Sequence, residues 1–222
     1  VEALSVLAGL IMLVPVYIVL VNAFKPYKEI LTRTFRLPQS FYTENLTYVW
    51  TQMNYDRILL NTIFCVVAVV CLAVVLSAMC GYKLSRANDK KSKWILNLLL
   101  VSMIIPFQSI MLPVYKIAYK MGFGDSLIGY VIVLVPLYAP FAVFVYHGFI
   151  KSIPVALEES AIIDGCGPFR VFFSIVFPLM KTSTASIVVL FALWVWNDYT
   201  FPSLILRSNN MRTLTSAVYA FF

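Results

Sequence analysis

Long apolar runs separated by short polar stretches dominate the chain. A helix that crosses a bilayer needs about 20 mostly apolar residues. Five segments meet that length, at about 3–24, 58–82, 94–115, 127–150 and 183–206. A sixth apolar stretch opens near Leu214 and stops at Phe222. At about 1.5 Å per residue it is too short to cross the hydrocarbon. The pattern predicts an all-α polytopic membrane protein, one transmembrane domain over residues 1–222, trimmed at both ends from a parent with at least six spans. The first run is too long for a signal-peptide core, and no small-residue cleavage site follows it.

Composition sharpens this picture. Apolar residues make up 61% of the chain and charged residues 12%, with a mean hydropathy of +0.88. Soluble domains are near half apolar and a quarter charged. A soluble enzyme, a disordered tail, a collagen and a disulfide scaffold are excluded. The aromatic share of 15% fits belts at two membrane interfaces. On such a chain the net charge of +7 is read as loop Lys and Arg that orient helices, and no nucleic-acid partner is expected. Lys83, Arg86, Lys90, Lys91 and Lys93 crowd the short loop 83–93 and mark it as cytoplasmic. Alternation then places 151–182 on the same side and 25–57 outside. The outer loops, with Lys25, Lys28, Arg33, Arg36 and Arg57 among others, are as basic in total, so the raw count leaves the orientation open.

Catalytic signatures are absent from the sequence. There is no GxxxxGK[ST], GxSxG or HExxH pattern, and Gly122, Gly124 and Gly129 are wrongly spaced for GxGxxG. Cys65, Cys71, Cys80 and Cys166 form no CxxC pair, and His147 is the one histidine, so neither a catalytic residue nor a metal site is expected. The cysteines read as small buried apolar residues. Pro106 and Pro113 fall on nearly one helix face, Pro136 and Pro140 are four apart, and both pairs predict bends. Asn61, Gln108, Trp196, Asn197 and Asp198 lie in or near spans. They are candidates for a substrate pathway, with helix–helix hydrogen bonding as the alternative.

The loop 151–182 is long enough to need structure of its own. Pro154 can start a helix, residues 155–163 contain no breaker, and Gly165 and Gly167 stop it. Glu159 has Val155, Ala156, Ile162 and Ile163 as its helical neighbours, all apolar. Two readings stay open: a helix that docks on a partner bringing a cation, or a packed cap with Glu159 paired inside its own chain to Arg170. Pro168 can open a second helix, with Phe169, Phe172, Phe173, Val176 and Phe177 on one apolar face and a stop or kink at Pro178.

These residues resemble a family. Glu159-Ser160-Ala161, then Gly165, then Ile175-Val176-Phe177-Pro178 match the spacing of the EAA loop of ABC-importer permease subunits. Ser160 stands for the second Ala, Phe177 for the Leu, and Cys166 fills a small-residue position. Ile153-Pro154, Leu157-Glu158-Glu159 and Ile163-Asp164-Gly165 are similar to the carbohydrate-importing branch, the maltose-type second permease subunit. Phe24-Lys25-Pro26, Leu60-Asn61-Thr62, Tyr82 to Arg86 and Trp196-Asn197-Asp198 agree.

The resemblance implies a six-span permease core with the last span cut off and a cytoplasmic coupling (EAA) helix between spans four and five. It implies a second permease subunit in a heterodimer, two cytoplasmic ATPase subunits and an extracytoplasmic solute-binding protein, in a bacterial or archaeal cytoplasmic (inner) membrane. ATP and Mg belong to the ATPase; no cofactor is bound by this chain. Glu158, Glu159, Ser160, Ala161, Ile162, Ile163, Asp164 and Gly165 become the ATPase-coupling residues, with Glu159 meeting a basic side chain and Gly165 allowing a sharp exit. The loop 83–93 becomes cytoplasmic. The alternatives are an ion- or proton-coupled carrier or channel working without ATP, with Asp198 as coupling acid, and an ABC permease for a non-sugar solute.

Overall fold

Among the described residues, 2–221 of a computed structural model, every regular element is helical. They form two compact units, divided between Asp56 and Arg57.

The first unit holds α1 (Glu2–Ala23), α2 (Tyr27–Thr32) and α3 (Glu44–Met53). Pro26 is extended and starts α2. Lys25, counted above as a loop charge, is instead wholly buried. Its Nζ donates to Asn22 Oδ1 at 2.9 Å and to the carbonyls of Arg33 at 2.9 Å and Thr34 at 3.3 Å. Three acceptors match the three N–H groups of an ammonium. Asn45 Nδ2 donates to the Ala23 and Lys25 carbonyls. The end of α1 is thus tied to its following loop by polar contacts.

The second unit begins within α4 (Tyr55–Arg86), which outruns the expected 58–82 at both ends. Asn61, Cys65, Val69, Ala73, Ser77 and Gly81 recur every fourth position and are all buried. Lipid tails give apolar side chains no drive to leave them, so helices associate there through close packing, small residues and hydrogen bonds. Gly81 is the closest approach: a Cβ there would lie 2.9 Å from Tyr146 Cβ and 3.2 Å from the His147 backbone nitrogen.

The run expected at 94–115 is not one helix. It is α5 (Lys90–Ser102) and α6 (Phe107–Lys120), bent by 105° at the break. Pro106 is extended at the start of α6, has no N–H to continue α5, and disfavours a helical residue before it. The run 127–150 is one helix, α7 (Leu127–Ile150), at the expected bounds. Tyr130, Leu134, Ala142, Tyr146 and Ile150 line its buried side.

After α8 (Ala156–Ile163) come α9 (Pro168–Val171), a π-helical segment (Phe172–Val176) and α10 (Phe177–Leu179). The expected face of Phe169, Phe172, Phe173, Val176 and Phe177 is therefore split. The wider π turn sends Val171, Phe172, Val176 and Met180 inward and leaves Phe169 and Phe173 exposed. Next is α11 (Lys181–Asn197), bent by 78° from Pro168–Leu179. The run expected at 183–206 also breaks. Asp198 is extended, and its Oδ1 accepts the Phe201 N–H at 3.3 Å to start α12 (Thr200–Ile205). A 3-10 turn (Asn209–Met211) leads to α13 (Leu214–Phe221); Phe222 lies outside the described residues. By length and composition three helices can cross a membrane, or up to five if each bent pair is one span.

Candidate functional site

The eight residues of α8 are fixed at both ends by local chemistry. Pro154 and Val155 supply the first carbonyls, accepting the Leu157 and Glu158 N–H groups. At the far end Gly165 adopts φ +82°, a left-handed conformation that costs glycine little. The Gly165 N–H then reaches the Ile162 carbonyl and the Cys166 N–H the Ala161 carbonyl, the paired closure of a Schellman motif.

The two adjacent glutamates point apart. Glu158 is buried at 5% exposure, beside buried Ala161 and Ile153. Tyr82 donates its hydroxyl to Glu158 Oε2 at 2.7 Å. Arg86 donates Nε and Nη2 to Oε1 at 2.8 and 2.6 Å, and Nη2 also to the Ile153 carbonyl at 2.9 Å. The end of α4 thus holds α8 from behind. This is the one ion pair among the described residues. The intrachain pairing considered for Glu159 with Arg170 is made by Glu158 with Arg86 instead. Glu159, Ser160 and Asp164 are exposed, and so are Ile162 at 61% and Ile163 at 85%. Ile162 and Ile163 thus form an apolar pair open to solvent at the end of α8. Sequence reasoning singled out Glu159 for its apolar ring. The signal for Glu158 lay elsewhere: Tyr82 and Arg86, four apart, put two donors on one face of α4.

A second site lies between α6, α7 and α11, a cleft of about 840 Å³. Phe107, Tyr138, Phe141 and Trp194 give it aromatic walls, and Asn197 and Asp198 add polar groups to its lining. Trp194 packs on Phe141 at 5.3 Å and on Tyr138 at 5.6 Å. Pro136 and Pro140 of α7 and Pro106 at the break before α6 border the same space. Asp198 Oδ2 accepts the Tyr130 hydroxyl at 3.0 Å. Asn197 Nδ2 donates to the Leu193 carbonyl at 2.8 Å.

Of the five pathway candidates, the cleft takes Asn197 and Asp198. Asn61 is a clamp: its Nδ2 donates to the Asn210 and Arg212 carbonyls at 2.9 and 3.0 Å. Gln108 is exposed beside Phe107, and Trp196, two positions from Trp194, is on another side of α11. Trp194, Tyr138 and Phe141 were missed. Trp194 is three and four residues before Asn197 and Asp198, the helical spacing that shares a face.

Residues 73–221 match the family described as binding-protein-dependent transport system inner membrane component. The chain belongs to that family of permeases. It is 35% identical over 219 residues to a probable starch degradation products transport system permease protein, AmyC, of Thermoanaerobacterium thermosulfurigenes, covering 99% of this chain and 80% of the relative. It is 32% identical to the melibiose/raffinose/stachyose import permease protein MelC of Bacillus subtilis, covering 94% and 76%. Its fold is similar to that of a chain in the crystal structure of a bacterial ABC transporter involved in the import of the acidic polysaccharide alginate. The TM-score is 0.81 at 20% identity, over 98% of this permease and 76% of that chain. This permease is therefore a multi-pass integral membrane protein with an all-helical importer-permease fold.

Proposed function

We propose that this permease is the pore-forming subunit of a sugar or oligosaccharide ABC importer of a bacterial or archaeal inner membrane. It pairs with a second permease, receives solute from an extracytoplasmic binding protein and is driven by two cytoplasmic ATPase subunits. ATP and Mg are held by those ATPases, and this chain binds no cofactor and carries out no catalysis.

The observation that carries the reading is α8: Ile162, Ile163 and Glu159 face outward while Glu158 ties the opposite face to α4. A helix held rigidly on one side and bare on the other can take a push from a docked partner and pass it to the transmembrane helices. Glu159 pairs with a cation of the ATPase, Ile162 and Ile163 fill its groove, and Asp164 and Gly165 set the exit. Movement enters α4 through Arg86 and α11 through the bent segment after Pro168. Loops 83–93 and 151–182 are then cytoplasmic.

The relatives named for starch products and for melibiose, raffinose and stachyose support a carbohydrate cargo. The cleft fits that chemistry. Aromatic faces stack on the apolar side of a sugar ring, while Asn197 and Asp198 offer polar partners for hydroxyls.

Reconstitution tests the reading. The full-length permease, its sister permease, ATPase and binding protein are placed in vesicles and uptake of a labelled sugar panel is followed. Uptake that requires ATP and survives ionophores is expected. Uptake that persists without ATP and collapses with an ion gradient would assign a carrier, and saturation by a non-sugar solute alone would reassign the cargo.

A further inference from the structure

The ends of α4 and α7 and the start of α5 border a pocket of about 200 Å³, apart from the cleft. Lys93, His147 and Lys151 line it with Ser85, Arg86 and Ser92, and none of its lining residues is acidic. The nearby carboxylates are engaged elsewhere. Glu158 holds Arg86. Asp89 caps α5, accepting the Ser92 N–H and the Ser92 hydroxyl, each at 2.8 Å. Lys93 and Lys151 form no ion pair among the described residues. Two exposed cations that no carboxylate pairs, on a pocket with no acidic lining, make a site for an oxyanion. Trp94, next to Lys93, is exposed, and tryptophan in a membrane protein favours the headgroup level.

We propose that this pocket binds a phosphate group, either the phosphodiester of an anionic lipid or inorganic phosphate. Lys93 and Lys151 supply both the charge and the N–H donors. Basic pockets between helices at a membrane surface hold lipid phosphates by this chemistry. Arg86 borders the pocket and anchors Glu158, so occupancy steadies the end of α4 that carries α8. The site is independent of the cargo and of the ATPase assignment.

The test uses the full-length permease in neutral detergent. Retention of phosphatidylglycerol and of phosphatidylcholine is measured by native mass spectrometry, and binding of inorganic phosphate is measured without lipid. The Lys93→Gln/Lys151→Gln variant is expected to retain phosphatidylglycerol about 25-fold less well, at roughly fivefold for each Lys near an anionic surface. The Lys90→Gln/Lys91→Gln variant removes the same charge outside the pocket and is expected to match the unaltered protein. Retention of phosphatidylglycerol alone assigns the lipid headgroup, and binding of inorganic phosphate alone assigns the free anion. Equal losses in the two variants, no loss in either, or no binding of either probe would overturn the site.

Discussion

Glu158 Oε1 lies 2.6 Å from Arg86 Nη2, a contact between residues 72 positions apart in the chain. It is a closed arrangement. Three donor atoms, one of Tyr82 and two of Arg86, meet a carboxylate that has almost no access to solvent. A buried carboxylate stripped of such partners is strongly unfavourable, so α8 has one orientation in which this charge is satisfied. That orientation turns Ile162 and Ile163 outward. The exposed surface of α8 is thus a consequence of the contact on its hidden side.

Loss of either partner is expected to loosen α8. Glu158→Ala and Arg86→Ala each cost about 2–4 kcal/mol, below the full penalty for a buried pair because the Arg86 side chain is 20% exposed. The double variant costs less than the sum of the two, since both remove the same contact. Thermal unfolding of the purified permease and protease cleavage within 151–182 read this. Unchanged unfolding and cleavage in Glu158→Ala would refute the anchor.

The outward face has the opposite signature. Ile163→Asp and Glu159→Lys alter exposed side chains and shift stability by only about 0.5 kcal/mol. Both are expected to abolish co-purification of the ATPase and ATP-driven uptake. Gly165→Val also fails, for a backbone reason: φ +82° is poor for a β-branched residue, whereas Gly165→Asn is tolerated better. Normal co-purification in Ile163→Asp would remove α8 from the ATPase interface.

The close crossing of α4 and α7 is tested by a pair of glycines. Gly81→Ala puts a Cβ 2.9 Å from Tyr146 Cβ and 3.3 Å from the Val143 carbonyl oxygen, and we expect a loss of about 1–3 kcal/mol. Gly148→Ala, on the same α7, meets nothing within 4 Å. It should be neutral or stabilise by up to about 1 kcal/mol through helix propensity. Melting temperatures of the two variants in one detergent decide.

In the cleft, Trp194 and Trp196 separate a lining role from a general aromatic one. Trp194→Ala removes the wall that packs on Phe141 and Tyr138, and sugar uptake is expected to fall about tenfold with ATPase co-purification unchanged, the scale of losing one buried aromatic contact. Trp196→Ala leaves uptake near its original level. Equal effects would move the substrate out of this cleft.

What could be read from the sequence was local. Pro154 and Gly165 bracket α8 because each acts on its own backbone. The apolar length of 127–150 specifies one helix, and α7 has those bounds. The break at 103–106 was hidden because a hydropathy window averages across Ile104 and Ile105; Pro106 announces a bend but not its 105°. The π turn was invisible to a 3.6-residue period, which pairs Phe169 with Phe173 instead of freeing both. The choice between Glu158 and Glu159 depended on Arg86, whose position in space no local pattern supplies. Asn61 reads as a pathway residue from its place in a span, but its amide clamps the carbonyls of Asn210 and Arg212, a contact that no local pattern announces.

Asp125 offers a test with a definite pH sign. It adopts φ +51° in the turn before α7 and latches the segment after α12. Its Oδ1 accepts the Arg207 and Ser208 N–H groups at 2.9 Å each, and Oδ2 accepts the Ser208 hydroxyl. That hydroxyl first, then the two backbone N–H groups, hold the carboxyl below its usual value. A depressed carboxyl contributes stability that is present above its unfolded value, about 3.9, and is lost as pH falls through the folded value. The latch is therefore expected to be constant from neutral pH to about pH 4 and to weaken below it. Protection factors of the Arg207 and Ser208 amides, from hydrogen exchange on the reconstituted permease, follow it directly. Asp125→Ala should lower both about tenfold at neutral pH and abolish the acid dependence, while Asp125→Asn, which tolerates the left-handed turn and keeps one acceptor, should fall between. Amides equally protected in Asp125→Ala would mean that the neighbouring bond from the Asp125 N–H to the Ile205 carbonyl, at 2.7 Å, closes the segment without the carboxylate.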